Sequence, residues 1–272
     1  MVAPSPIRSL SPEPSAAPLP PIKARILAAL ALDARATFSD IAQRLGLSRQ
    51  QVKYHFDQLE AQGIIEGCYA ILNVVRLGYL YHRVLIRLTN VSPETEREIL
   101  AYFARHPRVG WVIEQQGAWH VALAIWTRSM SEFELALDQM LSHVGRYVAD
   151  KRISFSARMY HLKKNYLTGE LDDAALLVGG DLAEVALDEL DYEILGILTK
   201  SARKSYREIG MALGVSPKVV KYRKQRMIDT GVILGFDVKL NHRALGFTEY
   251  KVFLELANIS TQSVERLIDH LR

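Results

Sequence analysis

Apolar residues along the chain follow two rhythms. Ile22, Ile26, Leu27 and Leu30 recur at helical spacing, as do Ile41 with Leu45, and Val52 with Phe56 and Leu59, so three successive amphipathic helices are predicted. Gly63-Ile64-Ile65 and the segment to Leu72 then read as a turn and the strands of a wing. From Tyr81 to Thr89 the rhythm becomes alternation, with Val84, Ile86 and Leu88 on one face of a strand. Ser92-Pro93 opens a helix through Ile99, Leu100 and Phe103 to His106. Residues 109–115 and 119–126 read as strands joined at Gly117-Ala118, residues 131–144 as a helix and 153–160 as a last strand. Three helices and a wing, then strands alternating with two helices, make an α+β chain.

The pattern repeats. At a fixed offset of 168 residues the chain from Ile26 matches the chain from Ile194 without a gap. Ile41, Leu45, Gly46 and Ser48 meet Ile209, Leu213, Gly214 and Ser216; Val52, Lys53 and Tyr54 meet Val220, Lys221 and Tyr222; Gly63, Ile65 and Gly67 meet Gly231, Ile233 and Gly235. So long a period indicates duplicated domains, not a short-period solenoid. The second copy stops early, because Arg272 falls opposite Ala104. Either the chain is a fragment or its second α+β unit is a remnant, and that end is expected to be poorly ordered or covered by a partner.

Local chemistry sets the helix ends. Thr37 with Asp40, and Ser205 with Glu208, have the spacing of capping boxes. Gly46 ends the second helix where a left-handed residue is cheap. Ser48 caps the third with Gln51 at its third position, and in the other copy Ser216 caps while Pro217 takes the first. With Val52, Phe56 and Leu59 turned inward, Arg49, Gln50, Lys53 and Tyr54 point outward. Three helices in this order form a helix-turn-helix, in which the early residues of the third helix reach base edges in the major groove while Lys and Arg neutralise phosphates. In the second copy Lys218, Lys221, Tyr222, Arg223, Lys224 and Arg226 lie between Ser216 and Met227 with no acidic residue, whereas the first copy carries Asp57 and Glu60. Lys218, Lys221, Tyr222 and Arg223 are expected to face the groove, and Lys224 and Arg226 to meet phosphates. Lys224 replaces the inward Phe56, so its stem is expected to snorkel along the core edge.

Composition narrows the setting. The 272 residues are 49% hydrophobic, enough for two or more cores. The first 21 hold Pro4, Pro6, Pro12, Pro14, Pro18, Pro20 and Pro21 among Ser and Ala, and read as a disordered arm without the apolar core of a secretion signal. No run of about 18 apolar residues predicts a membrane helix. Cys68 is the only cysteine, which rules out an intrachain disulfide framework and a Cys-based zinc site and points to a reducing, cytoplasmic location. The eight histidines have neither metalloprotease nor zinc-finger spacing, and there is no phosphate-cradling glycine loop or nucleophile elbow. No catalytic residue, metal or cofactor is therefore expected.

The residues Phe38-Ser39-Asp40-Ile41-Ala42-Gln43-Arg44-Leu45-Gly46-Leu47-Ser48, then Leu59-Glu60-Ala61-Gln62-Gly63-Ile64-Ile65, then Leu77-Gly78-Tyr79, resemble the Lrp/AsnC (feast/famine) family of regulators. The resemblance covers about residues 22–167 as one full unit and 187–272 as a truncated second. It implies a winged helix-turn-helix at 22–78, a βαββαβ ferredoxin-like (RAM-type) sensing domain at 79–167, a linker at 168–186, a second winged helix-turn-helix at 187–246 and an incomplete sensing domain from 247. It further implies a transcription regulator that binds double-stranded DNA and forms dimers or higher oligomers through the sensing domain. A small effector, often an amino acid, would bind near the turn containing Gly117, Trp119 and His120. The family commonly has Asp where this chain has His120, and a neutral imidazole accepts hydrogen bonds from an amino group less well. Sirohaem decarboxylases of haem biosynthesis share the two-part architecture and work as paired subunits, so a tandem chain could mimic such a pair. Their helix-turn-helix needs no basic face, and the run from Lys218 to Arg226 argues against that alternative.

Overall fold

A computed structural model describes residues 19–156, 158–180, 183–254 and 260–271. The Pro-rich arm lies outside the described residues up to position 18, and its last proline already belongs to a helix. In chain order the first unit has α1 (Pro21–Leu30), α2 (Phe38–Leu45), α3 (Arg49–Ala61) and β1 (Ile65–Leu72). There follow β2 (Leu80–Leu88), α4 (Pro93–Arg105), β3 (Val109–Glu114), β4 (Val121–Thr127), α5 (Met130–Val144) and β5 (Val148–Phe155). Next come β6 (Arg158–Leu162) and β7 (Ala175–Gly179). The second unit has α6 (Glu189–Leu198), α7 (Tyr206–Leu213), α8 (Pro217–Asp229) and β8 (Ile233–Leu240), and α9 (Thr261–Leu271) comes last.

The predicted caps form. Thr37 Oγ1 accepts from the Asp40 amide at 3.1 Å while the Thr37 amide donates back to Asp40 at 3.0 Å; Ser48 with Gln51 and Ser205 with Glu208 repeat this reciprocal arrangement. Gly46 and Gly214 end α2 and α7 at φ 68° and 67°, conformations that a side chain would strain.

The middle domain is a four-stranded antiparallel sheet ordered β3-β4-β2-β5, the ferredoxin-like order expected of βαββαβ. α4 and α5 cover one face, burying Phe103, Phe133 and Met140 against Val84, Ile86, Leu123 and Ile125. The last strand differs from expectation. One strand ends at Phe155, and the chain then starts β6, which pairs antiparallel with β7. The stretch expected as a linker therefore contributes one strand of an ordered hairpin. Asn73 explains part of its position: its side chain donates to the Gly179 carbonyl and accepts from the Gly179 amide, both at 3.2 Å.

The sheet completing each helix-turn-helix also departs from a local wing. β1 has no hairpin partner of its own and pairs antiparallel with β8. The register is symmetric: Ile65 faces Leu240, Cys68 faces Val238, Tyr69 faces Asp237, Ala70 faces Phe236 and Leu72 faces Ile233. Tyr69 and Asp237 are separated by the same 168-residue offset that relates the repeats, so a local two-fold axis passes between them. Side chains obey it too. Arg35 Nη1 donates across the axis to the carbonyls of Ala202 and of Lys204, the latter at 3.2 Å, and Arg203 Nη1 donates to those of Ala34 at 2.6 Å and Ala36 at 3.1 Å. The Arg203 guanidinium lies 4.6 Å from the Phe38 ring, and Arg35 lies 5.0 Å from the equivalent Tyr206 ring. One continuous core results, with Ile26, Leu30, Ile41, Val52 and Leu59 joined to Ile194, Leu198, Ile209, Val220 and Met227. Residues 247–254 of the expected second sensing domain form no strand, and Tyr250 and Val252 are 73% and 75% exposed.

Candidate nucleic-acid interface

α3 and α8 are the outward helices of the two units. In α3, Val52, Phe56 and Leu59 are buried and Arg49, Gln50, Lys53 and Tyr54 are exposed, as the spacing predicts. In α8, Val220 and Met227 are buried while Lys218, Lys221 and Tyr222 are exposed. The two-fold axis relates these sets, so Tyr54 and Tyr222, 59% and 68% exposed, occupy equivalent outer positions.

Two of the predicted cations face elsewhere. Arg223 donates to Asp188 at 2.6 Å and to Asp191 at 3.1 Å, and Arg226 donates to Asp191 at 2.6 Å. Asp191 is fully buried, and a buried carboxylate needs such partners to offset its desolvation. The expectation that Arg223 faces the groove and Arg226 a phosphate is thus corrected. Both fasten α8 to α6, and the Asp188 and Asp191 hydrogen bonds hold Arg223 in its charged form. The first copy has Pro20 and Lys23 at the matching positions, where no such clamp can exist. Lys224, expected at a phosphate, is half-buried with its ammonium 5.8 Å from the Tyr206 ring. The second helix is therefore less cationic outward than its sequence. In α3, Lys53 is ion-paired with Asp57 one turn on, whereas the equivalent of Asp57 beside Lys221 is Gln225.

Two residues not singled out in the sequence, Arg35 and Arg203, join others that were in a basic cleft at the axis. Arg35, Thr37, Phe38, Arg49, Arg203 and Ser205 line about 490 Å³ beside the starts of α2, α3 and α7. The signal was available, since Ala34-Arg35 and Ala202-Arg203 match at the repeat offset.

The turn proposed for an effector is held by its own contacts. The Leu88 amide donates to His120 Nδ1 at 3.0 Å, the His120 amide donates to the Ile86 carbonyl at 2.9 Å, and Arg152 lies over the Trp119 ring at 5.8 Å. His120 thus anchors the β3–β4 connection to β2, and Gly117 adopts φ 127° at its tip. Among the described residues no cluster of three or more His, Cys, Asp or Glu could hold a metal ion, and no helix is long and apolar enough to cross a membrane.

Comparison with known proteins matches this arrangement at both ends. Residues 19–66 match the winged helix-turn-helix DNA-binding family, and residues 187–228 match the AsnC-type helix-turn-helix domain. Both ends of the chain are thus similar to helix-turn-helix domains of the kind found in Lrp/AsnC regulators. Relatives include the HTH-type transcriptional regulator Ptr1 of Methanocaldococcus jannaschii, 42% identical over 86 residues, which is 32% of this chain and 57% of that one. The regulatory protein AsnC of Haemophilus influenzae is 35% identical over 85 residues, 31% of this chain and 56% of that one. The chain thus spans somewhat more than half the length of the curated relatives it matches. A solved structure of the siroheme decarboxylase NirDL in co-complex with an iron-uroporphyrin III analogue is similar in fold, with a TM-score of 0.53 at 17% identity, covering 79% of this chain and 64% of that one.

Proposed function

We propose that this chain is a cytoplasmic, sequence-specific regulator of transcription of the Lrp/AsnC kind, whose two helix-turn-helix units read one inverted repeat in double-stranded DNA. The observation that carries the proposal is the two-fold axis through Tyr69 and Asp237, which relates α3 to α8 as an operator's dyad relates its half-sites. Arg49, Gln50, Lys53 and Tyr54 enter one major groove, and Lys218, Lys221 and Tyr222 the other. The cleft lined by Arg35, Arg49 and Arg203 suits phosphates between them. Chains assemble further through the middle domain, although one face of its sheet already packs Tyr81 and Ala124 against Val178 of the β6–β7 hairpin. No effector is assigned to that domain, because His120 and Trp119 are engaged within the chain.

The test is fluorescence anisotropy on duplex libraries across a salt series. Affinity that falls steeply with salt and concentrates on inverted repeats supports the proposal; no salt-sensitive affinity for any duplex removes it. A second reading, an enzyme acting on a sirohaem-type tetrapyrrole, has one observation in its favour: NirDL shares the tandem fold over most of this chain. Titration with an iron porphyrin decides for it if a stoichiometric Soret band appears.

A further inference from the structure

The two recognition helices are equivalent in backbone and unequal in what they present: Arg49 and Gln50 of α3 stand where α8 has Pro217 and Lys218, and the second of these pairs bears on base choice. Ser48 and Ser216 cap α3 and α8 in the same way, each hydroxyl accepting from the amide three residues on, at 3.1 Å and 3.3 Å. The second residue of each helix is therefore placed alike by the local two-fold axis. It is Gln50 in α3 and Lys218 in α8, and both are exposed. Lys53 and Tyr54 recur as Lys221 and Tyr222, so these positions ask the same of both half-sites.

Gln and Lys ask for different bases. A carboxamide offers a donor and an acceptor side by side, which fits the N6 amino group and N7 of adenine; an ammonium offers donors alone, which fits the paired acceptors O6 and N7 of guanine. Lysine cannot accept from the adenine amino group. Resting on the DNA-binding function proposed above, we infer that the operator is a broken palindrome, with adenine in the half-site read by α3 at the position where the half-site read by α8 has guanine. The inequality fixes the orientation of the chain on DNA, which two identical recognition helices could not do.

The experiment is selection of bound duplexes from a randomised library by the full chain, by Lys218→Gln and by Gln50→Lys. These positions lie outside the core, so the folding of the variants can be verified by circular dichroism before selection. The native chain should enrich an inverted repeat whose symmetry is broken by an A/G difference at the position read by Gln50 and Lys218. Lys218→Gln should restore symmetry at that position with adenine on both sides, and Gln50→Lys should restore it with guanine, each changing preference there by roughly tenfold. A symmetric site from the native chain, or variants that leave the selected base unchanged, would overturn the inference while leaving DNA binding intact. Retention of no duplex by any of the three would remove the DNA-binding function itself.

Discussion

The two helix-turn-helix units share a backbone plan and divide its tasks differently. The first keeps an aromatic on the inner face of its third helix, with Phe56 stacked under Arg203 at 5.0 Å, and pins Lys53 to Asp57. The second gives up that aromatic for Lys224 and compensates with a polar clamp, Arg223 and Arg226 on Asp188 and Asp191. At the axis itself, where two identical strands would set a residue against its own copy, Tyr69 meets Asp237 and the Tyr69 hydroxyl donates to it at 3.4 Å. Asp237 is also held by Lys164, at 2.6 and 2.7 Å, from the segment joining β6 to β7. Two aspartates facing each other there would repel. The pairing of unlike copies is thus encoded at its centre, and a symmetric pairing of β8 with a second β8 is disfavoured.

The largest expected effect follows from that centre. Asp237→Ala strands the Lys164 ammonium, whose side chain is 13% exposed, and should cost about 3–5 kcal/mol in urea unfolding. Adding Lys164→Met should recover most of the loss, and an unchanged midpoint for Asp237→Ala would show that the axis needs no charge. Next come the reciprocal arginines. Arg203→Ala loses two carbonyl hydrogen bonds and its stacking on Phe38 and Phe56, a cost of about 2–3 kcal/mol. Arg203→Lys should not rescue it, since a planar fork is required. Arg35→Ala should cost less, because the Lys224 ammonium already lies over the Tyr206 ring that Arg35 shares. Equal losses at the two arginines would mean that the copies are energetically symmetric after all.

On DNA, replacing Lys218 and Lys221 by Ala should lower the log–log salt slope by about 0.9 for each phosphate no longer neutralised. Lys53→Ala should lower it less, because Asp57 already neutralises that lysine, and Arg223→Ala should leave it unchanged. A slope that drops equally for Arg223→Ala would return that residue to the interface. The smallest effect concerns pH. Hydrogen bonds, first from Arg223, hold the Asp188 carboxyl below its ordinary value of 3.8. Its stabilising contribution is therefore complete at neutral pH and is lost as pH falls from 3.8 through the lower folded value. The first copy has no counterpart, so amides of α6 and α8 should lose hydrogen-exchange protection on acidification before those of α1 and α3. Asp188→Asn should abolish the difference, and simultaneous loss in the native protein would deny the clamp a role.

Much of the fold is legible in the order of residues alone. Helix ends are readable because Thr37, Ser48 and Ser205 satisfy backbone amides within three residues, which is local chemistry. The sensing sheet follows from alternation between Tyr81 and Thr89 and from two intervening helices. What escapes is long-range. The partner of β1 is chosen by strand pairing across 168 residues, and nothing near Cys68 or Tyr69 announces it. The hairpin of β6 and β7 depends on Asn73, some hundred residues earlier. For Arg223 and Arg226, helical spacing gives the wrong direction, since side chains that long turn toward a buried carboxylate one helix away. Asp191, an acid on an apolar helix face, is the clue.

Joining the paired strands on one polypeptide has a kinetic and quantitative consequence. Their encounter is intramolecular, with an effective concentration set by the intervening chain and not by expression level. Dilution cannot separate the pair, so occupancy of a target should climb with the first power of protein concentration, where a separable dimer would climb with its square. A cell holding few molecules would still present both reading heads together.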